Sequence, residues 1–461
     1  MRITSGGHAF WYIESDAGRI LLDPVFTDPF EQGTVTACPS RSMDIDKIPE
    51  HDLLYLSHRH LDHFHIPTLK KLSKDKPVMA PDDKLTLLSL KELGFQDIRP
   101  MRPFEEQILH QNDTSLRLIP TPSVSETFVE YGLLVIEEKE GKKTRTLLNQ
   151  VDTPLSESTI REIKARSPEI DVHLAMFASQ DFGWFHAQAS QIAETYTQNL
   201  HAAMQIGAKL VVPASAGFRF VDRYDYLNAI LFPIPRERFM TDIQSLCPDA
   251  TSVPINPGDV IELEDTLEIK RQSAAFIKML AEDSHRINHD PTVSVPELVD
   301  HNLSGYPLAH LSGFASAVIE QGLVAYLQTS IHNGEKDVLD YCNHHAVFRI
   351  HVIFPDGTKV WNFIFQPDGF QLAKGDYPKP PDFIYKITSS ALLDLCEGKK
   401  SVWAVRPETR RWSRLLSPQN TVLGLRTLEI ELQNLLTHFI LGMQIRMHGE
   451  SKAMLKYYGL C

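Results

Sequence analysis

The chain has 461 residues, about three times the length of a common single domain, so it has room for more than one hydrophobic core. Hydrophobic residues make up 43% and charged residues 23% of the chain, which excludes wholesale disorder. With 46 basic against 59 acidic side chains the net charge is −13, which disfavours nucleic acid and anionic lipid surfaces as partners.

The five cysteines are scattered without CxxC spacing, and their odd number does not suit a closed disulfide framework. The first residues lead into a strand pattern without the features of a secretion signal, and no run of 18 uninterrupted apolar residues occurs. We therefore expect a cytoplasmic protein without a membrane span. The chain is rich in histidine, with 20 residues, and their placement becomes the main question.

Up to about residue 265, short apolar runs alternate with turn signals and helical stretches, which is typical of a layered α/β fold. Two apolar runs around Asp16-Ala17-Gly18 predict an opening hairpin. We predict strands at 9–14, 19–22, 53–56, 77–80, 116–119, 132–137, 145–149, 173–177 and 210–212. We predict helices at 66–72, 83–93, 156–166 and 187–206.

The pattern changes near residue 267, where helical and mixed segments with prolines begin. A β-meander follows at 346–373, then a helix at 389–397, two candidate strands at 401–405 and 412–415, and a long amphipathic helix at about 421–447. The sequence thus predicts three parts: a catalytic domain at 1–267, a helical linker or packing region at 268–335, and a smaller α+β domain at 336–461.

The strongest chemical signal is the segment Ser57-His58-Arg59-His60-Leu61-Asp62-His63, which follows an apolar strand. Side chains two apart in an extended segment project to one side, so His58 and His60 can bind one metal ion while Asp62 and His63 serve a second. The alternative is a polar loop that happens to be histidine-rich. Four ligand-type side chains at this spacing make that alternative improbable.

This motif resembles the H-x-H-x-D-H motif of the metallo-β-lactamase superfamily, whose members fold as an αββα sandwich. The segments 7–9, 22–24, 57–72, 147–152 and 212–218 look most like the branch that contains the CMP-N-acetylneuraminate hydroxylases. The resemblance covers about residues 1–265. It implies that Asp152 bridges two metal ions and that Asp23 orients a ligating histidine from the second shell. His8 could reach the same second shell or could simply cap a strand.

Two departures from the hydrolases of this superfamily bear on the metal. The loop at 120–127 lacks the usual ligating histidine, and Glu126 is the nearest candidate ligand, with Glu130 as a less favoured one. A carboxylate also replaces this histidine in the chloramphenicol-pathway β-hydroxylase, a diiron oxygenase of the same fold. The segment 212–217 lacks the second histidine, and His186, with Asp181 as its rival, could fill that place.

Exchanging imidazole for carboxylate moves the metal preference from zinc toward iron or manganese. We therefore predict an enzyme with two metal ions, iron favoured, that hydroxylates a small-molecule substrate with electrons from an external donor. A metal-dependent hydrolase of a phosphodiester, lactone or amide is the alternative. The chain lacks the C-x-H and C-x-x-H pair of a Rieske centre. The apolar stripe of the last helix would suit core packing or a homo-oligomer seam.

The C-terminal meander and the helix at 389–397 resemble the sterol-carrier-type domain that is appended to some sulfatases of this fold. The resemblance implies an apolar tunnel, while ordinary core packing without a ligand is an equal alternative.

Overall fold

The structure is a computed structural model, and it describes residues 1–124, 129–181, 192–397, 399–400 and 402–413. The described residues form two compact units, one up to Val293 and one from Ser294 onward. Each unit is described by itself. The predicted long helix at 421–447 lies outside the described residues. The domain limits at 267 and 335 stay a prediction.

The first unit contains nineteen described strands and five described α-helices. The strands are β1 (Arg2–Gly7), β2 (Phe10–Ser15), β3 (Gly18–Leu22), β4 (Val35–Ala37), β5 (Ser40–Met43), β6 (Leu53–Tyr55), β7 (Val78–Pro81), β8 (Ile98–Met101), β9 (Gln107–Gln111), β10 (Thr114–Pro122), β11 (Tyr131–Lys139), β12 (Lys142–Asn149), β13 (Val172–Met176), β14 (Leu210–Ala214), β15 (Phe218–Phe220), β16 (Thr251–Ser252), β17 (Val260–Leu263), β18 (Leu267–Lys270) and β19 (Ile277–Ala281). The helices are α1 (Ile66–Lys71), α2 (Lys84–Glu92), α3 (Glu157–Arg166), α4 (Ile192–Ile206) and α5 (Arg236–Leu246).

Two large sheets form the centre of this unit. One has eight strands in the order β18-β17-β1-β2-β3-β6-β7-β8, and the other has seven in the order β16-β14-β13-β12-β11-β10-β9. Apolar side chains from both sheets make one core, including Ile3 and Tyr55 from the first and Leu133 and Leu174 from the second. Such a core forms because alternate residues of each strand face the opposing sheet. The largest apolar side chains are thereby removed from water.

Helices cover the outer face of each sheet. Helix α2 packs on β7 and β8, whereas α3, α4 and α5 contact strands of the seven-stranded sheet. The predicted αββα sandwich is confirmed. The pairs β3–β6, β12–β13 and β13–β14 are parallel. Because parallel strands end at the same edge, the loops after β3 and β6 lie together, as do those after β12 and β14.

The second unit packs helices against a five-stranded sheet in the order β22-β21-β20-β23-β24. Its elements are α6 (Leu308–Ser316), a π-helical segment (Ala317–Leu323), α7 (Val324–His332), α8 (Lys336–Asn343), β20 (Val347–Phe354), β21 (Gly357–Gln366), β22 (Gly369–Lys374), β23 (Phe383–Thr388), α9 (Ser389–Cys396), α10 (Val402–Val405) and β24 (Thr409–Ser413). The predicted meander and the helix after it are present. The candidate strand at 401–405 is wrong over its described part, because Val402–Val405 is helical.

One continuous helical run in the second unit, Leu308–His332, is long and apolar enough to cross a membrane by length and composition alone, with a mean hydropathy of 1.2. One such helix is weak support for a membrane span. Its residues Leu311, Ile319, Leu323 and Leu327 are buried in the core of this unit against the sheet. Over the whole apolar window, 28% of the residues are buried.

Candidate metal centre

The site begins at Asp23, the residue that follows β3, and at Ser57, which comes two residues after β6. The backbone N–H of Ser57 donates to Asp23 Oδ1 at 2.8 Å, and its hydroxyl donates to Asp23 Oδ2 at 2.5 Å. Asp23 is fully buried and lies in the left-handed backbone region with φ 41°. Its carboxylate therefore joins the ends of two neighbouring parallel strands and fixes where the histidine-rich segment starts.

His63 is held by the same carboxylate. Its Nδ1 lies 2.9 Å from Asp23 Oδ2. Because an ionised carboxylate only accepts hydrogen bonds, Nδ1 carries the proton and Nε2 is turned toward the rest of the site. Nε2 lies 3.3 Å from Asp152 Oδ2 and 3.5 Å from Asp62 Oδ2. This carboxylate–imidazole pair is the usual support of a metal-ligating histidine.

Burial and neighbouring charges shift the pKa values of His63 and Asp62 in opposite directions. Burial alone would lower the pKa of His63, but the carboxylates of Asp62 and Asp152 raise it well above the usual value. Burial would raise the pKa of Asp62, but His63 and His8 hold it well below the usual range. Positive charge is therefore favoured between these carboxylates, which is the electrostatic demand that a divalent cation meets.

His58 and His60 are the remaining two histidines of the motif. The Nε2 atom of His58 is 2.8 Å from Nδ1 of His60, and the rings of His58 and His63 are 4.1 Å apart. Burial, together with the neighbouring histidines, lowers the pKa of His58 well below 6.5. A neutral imidazole is the form that binds metal ions. The structure thus brings together the four ligand-type residues of the motif.

Asp152 reaches the cluster from the opposite sheet, in the turn that follows β12. Its carboxylate belongs to a group with His58 and His63 whose candidate ligand atoms all lie within 4.8 Å of one another. Asp152 is also half-buried, so one side of the group is accessible to solvent. A carboxylate beside the imidazoles of His58 and His63 is suitably placed to help hold a metal ion.

His8 lies in the turn between β1 and β2, and the structure brings it into the same cluster. Its Nε2 lies 3.0 Å from Asp62 Oδ2, and His8, Asp62 and His63 form a second group within 4.8 Å. The backbone of His8 has φ 53° and follows Gly7 with φ 82°. These left-handed conformations direct the imidazole inward.

Only some of the candidates for the missing ligands lie in the part of the chain that the structure describes. Glu126 and His186 lie outside the described residues. Glu130 immediately precedes β11, is buried, and accepts a hydrogen bond from the Ser123 hydroxyl at 2.7 Å. Burial and the charge of Asp152 raise the pKa of Glu130 to about 7. Glu130 thus stands close enough to Asp152 and His63 to feel their charges.

His65 and Asp181 have different surroundings. His65 caps the start of α1, with Nδ1 2.8 Å from the Thr68 hydroxyl, and burial lowers its pKa to about 4. The backbone N–H of Asp181 donates to the carbonyl of Leu231. Sequence reasoning gave no role to Ser57, although a serine directly before the first histidine was the available signal. Its hydroxyl joins Asp23 to His58, 2.9 Å from Nδ1.

Residues 2–151 match the family model described as the beta-lactamase superfamily domain. This segment belongs to the beta-lactamase superfamily. The predicted resemblance is confirmed over these residues, and the unit that contains them has the layered fold expected of that superfamily.

Three curated relatives illustrate the similarity in sequence. A Mycolicibacterium smegmatis protein named as a Rieske 2Fe-2S iron–sulfur protein is 37% identical over 100 residues, 21% of this chain and 19% of that protein. The cytidine monophosphate-N-acetylneuraminic acid hydroxylase of Danio rerio is 37% identical over 71 residues, 15% of this chain and 12% of its own. The Mus musculus hydroxylase is 30% identical over 159 residues, which are 33% of this chain and 26% of its own. The chain thus matches about a quarter or less of each relative's length.

Two solved structures are similar in fold. The metallo hydrolase Igni18 of Ignicoccus hospitalis has a TM-score of 0.40 and 18% identity, covering 57% of this chain and 99% of its own. The diiron β-hydroxylase CmlA of Streptomyces venezuelae has a TM-score of 0.33 and 16% identity, covering 47% of this chain and 45% of its own. Likenesses at this level carry no argument about the reaction.

Proposed function

We propose that the chain is a dinuclear non-haem iron oxygenase that hydroxylates a small organic substrate. The main support for this proposal is the chemistry of the candidate ligands. The carboxylates of Asp62 and Asp152 lie close to the histidines, and segments 120–130 and 212–218 contain no histidine. Oxygen-rich ligand sets favour iron or manganese over zinc. The sequence similarity to the cytidine monophosphate-N-acetylneuraminic acid hydroxylases of Danio rerio and Mus musculus supports a hydroxylation reaction.

In this proposal one ion is held by His58 and His60 with a carboxylate from the loop before β11, either Glu126 or Glu130. Asp62 and His63 would hold the other, and Asp152 would contribute to both. Ligand atoms on one metal ion at about 2.1 Å are roughly 3.0–3.5 Å apart. The 3.3 Å and 3.5 Å separations around His63 Nε2 fit that range.

His8 and His186 are the two candidates for the remaining ligand position on the second ion. The 3.0 Å distance between His8 Nε2 and Asp62 Oδ2 is the distance expected between two atoms that bind the same metal ion. We propose His8 as a ligand of the second ion, whereas the sequence alone left open whether it belongs to the second shell or caps a strand. It would supply from the β1–β2 turn the imidazole that segment 212–217 lacks.

Bound iron would supply the redox chemistry that inserts one oxygen atom of O₂ into a C–H bond, while two electrons and two protons convert the other atom to water. The electrons come from an external donor of the ferredoxin or reductase class, because the chain carries no Rieske ligand pair. The chain itself positions the ligands, with Asp23 orienting His63. The described cysteines are free thiols, in keeping with a cytoplasmic location.

Metal analysis of protein purified without added metal tests the proposal. We expect about two iron ions per chain and the near-ultraviolet absorption of a carboxylate-bridged diferric pair. Two zinc ions per chain together with hydrolysis of a phosphodiester would contradict it.

The bridging role of Asp152 has its own test. Asp152→Ala should lose at least one ion because the carboxylate beside His58 and His63 is removed. Asp249→Ala, at an exposed position after α5, serves as the matched control. Retention of both ions by Asp152→Ala would refute the bridge.

A metal-dependent hydrolase is the second candidate. It is favoured by the complete His58-x-His60-x-Asp62-His63 motif and by His8, since the two together leave the second ion fully provided with protein ligands. In that case the ion pair would activate a water molecule. Zinc content and oxygen-independent turnover distinguish it from the oxygenase.

A further inference from the structure

Arg41 lies in β5, which pairs with β19 in a two-stranded sheet apart from the two large ones. Its side chain is 0% exposed, although arginine is rarely buried completely. The Arg41 Nε atom donates to Asp28 Oδ2 at 2.8 Å, so the buried charge is paired. Asp28 is fixed in turn, because its Oδ1 accepts from the backbone N–H of Ala37 at 2.8 Å. The guanidinium of Arg41 therefore has a defined position and orientation.

The other two nitrogen atoms of the Arg41 guanidinium bind the backbone of two turns at the metal centre. Nη1 donates to the carbonyl of Gly6, two residues before His8. Nη2 donates to the carbonyl of Val25, two residues after Asp23, at 2.9 Å. Since the N–H groups of a guanidinium form one rigid planar fork, the two carbonyls are held in a fixed relative position. One side chain thus joins the turn that carries His8 to the turn that carries Asp23.

The peptide group between Val25 and Phe26 is held on both sides. Its carbonyl accepts from Arg41, and its N–H donates to the Thr68 hydroxyl at 2.9 Å. Thr68 lies in α1, the helix that comes directly after the histidine motif. The loop after β3 is therefore connected to Arg41 on one side and to the end of the motif on the other.

These connections act on backbone that is unfavourable by itself. His8 and Asp23 have φ values of 53° and 41°, in the left-handed region that non-glycine residues rarely adopt. The pairing of β1 with β2 shifts register between Ser5 and Gly7, so the regular ladder of hydrogen bonds is interrupted at this turn. Backbone of this kind persists where the surrounding structure fixes it. The Arg41 guanidinium supplies such a constraint within two residues of each strained position.

We propose that Arg41 is a positioning residue of the metal centre, which holds the His8 turn and the Asp23 turn in the relative position that the second ion requires. His8 contacts the ion directly in the proposed function, and Asp23 acts through His63, whose Nδ1 lies 2.9 Å from its carboxylate. Asp62 Oδ2 lies 3.0 Å from His8 Nε2 and 3.5 Å from His63 Nε2. The inference rests on the proposed function for the assignment of these ligands to one ion, and it does not depend on the reaction.

Titration of the metal-free full-length chain with Co²⁺ alone, in competition with a chromophoric chelator, measures the dissociation constants of the two binding steps. We expect Arg41→Met to weaken the second step by about 10-fold, the effect of removing an outer partner of a metal ligand, and to leave the first step unchanged. His8→Ala identifies the second step. Arg145→Met is the matched control and should bind both ions as wild type does. The Arg145 guanidinium also binds two main-chain carbonyls, those of Leu263 and Thr144.

A double substitution separates positioning from a general loss of structure. In the His8→Ala background, Arg41→Met should weaken the second step by a smaller factor than in wild type, because the part transmitted through His8 is already absent. Arg41→Lys keeps the charge beside Asp28 but lacks the planar fork, so it should also weaken the second step. Circular dichroism and urea unfolding show whether each variant is folded, and Arg41→Lys carries the same cycle if Arg41→Met does not fold.

Two unchanged dissociation constants in a folded Arg41 variant would overturn the positioning role and leave the proposed function standing. Equal weakening of both steps, or equal factors in the two backgrounds, would also overturn it, since either result indicates a general loosening of the unit. Two zinc ions in the protein as purified would contradict the oxygenase and leave the role of Arg41 in place. A wild-type chain that binds no Co²⁺ would overturn both.

Discussion

The Asp23 carboxylate organises the centre at the level of single residues. It accepts hydrogen bonds from the Ser57 backbone and hydroxyl and from His63 Nδ1, and it is completely buried. An oriented imidazole with its proton on Nδ1 is a better ligand at Nε2 than a freely rotating one. Asp23 therefore acts on the metal through His63.

Asp23→Asn should weaken metal binding by about 10- to 100-fold, because the amide keeps the shape but loses the charge that fixes the His63 tautomer. Competition with a chromophoric chelator measures the affinity. Asp52→Asn, which removes a carboxylate from the surface pair with Arg19, is the control. An affinity of Asp23→Asn equal to that of the control would rule out the orienting role.

His173 lies inside β13, away from the metal cluster, and gives a prediction about pH. Burial lowers its pKa to about 3, while Nε2 is 3.0 Å from Gln150 Oε1. The unfolded chain binds a proton at this histidine below pH 6.5, and the folded chain stays neutral until about pH 3. Stability is therefore fully present above pH 6.5 and falls as the pH decreases through that window.

Between pH 7 and pH 5 the free energy of unfolding should fall by about 2 kcal/mol more in wild type than in His173→Gln. The variant lacks the histidine that takes up a proton on unfolding. Urea unfolding at the two pH values measures the difference. His201→Gln provides an exposed control. Identical pH dependence of His173→Gln and wild type would contradict the buried neutral histidine.

At the scale of elements, the segment 213–217, which is the end of β14 and the turn after it, packs closely against the turn between β1 and β2. A Cβ atom at Gly217 would lie 2.9 Å from the His8 nitrogen, 3.0 Å from its Cα and 3.3 Å from the Cys38 carbonyl oxygen. These are backbone atoms, which move only together with their strands. Glycine is required here by close approach rather than by its backbone angles.

Gly217→Ala should therefore destabilise the protein by about 1–3 kcal/mol, the usual cost of overpacking. It should also weaken the binding of the second ion, since the displaced backbone carries His8. Thermal unfolding and metal titration measure the two effects. Gly313→Ala in α6, where nothing lies within 4 Å of the added carbon, should be neutral or stabilising. Similar behaviour of the two variants would show that the contact with His8 is unimportant.

At the scale of the whole molecule, the chain has two units with separate hydrophobic cores. One core lies between the two large sheets, and the other lies between the five-stranded sheet and helices α6 to α9. The described metal candidates belong to the first unit. A metal ion that binds only the folded form of that unit should stabilise it without acting on the second core.

Calorimetry of the metal-loaded protein should accordingly show two transitions, and a chelator should lower the temperature of only one of them. Asp152→Ala should lower the same transition and respond little to the chelator. One transition that shifts as a whole would show that the two units unfold together.

The sequence by itself determined the features that depend on local order. Strand periodicity and turn residues gave the layered α/β pattern, and the spacing of His58, His60, Asp62 and His63 indicated a metal centre, because side-chain direction in an extended segment follows from residue number. The predicted helix at 389–397 agrees closely with Ser389–Cys396. The resemblance added the expected places of Asp23 and Asp152.

Only the tertiary structure decided which distant side chains meet. It brought His8 within 3.0 Å of Asp62, 54 residues away, buried Glu130 near Asp152, and joined the turns of His8 and Asp23 through Arg41. These contacts depend on sheet order, on left-handed residues in two turns and on the packing of one turn against another. None of these has a local signature, because contacts between strands far apart in the chain are set by the burial of the whole core.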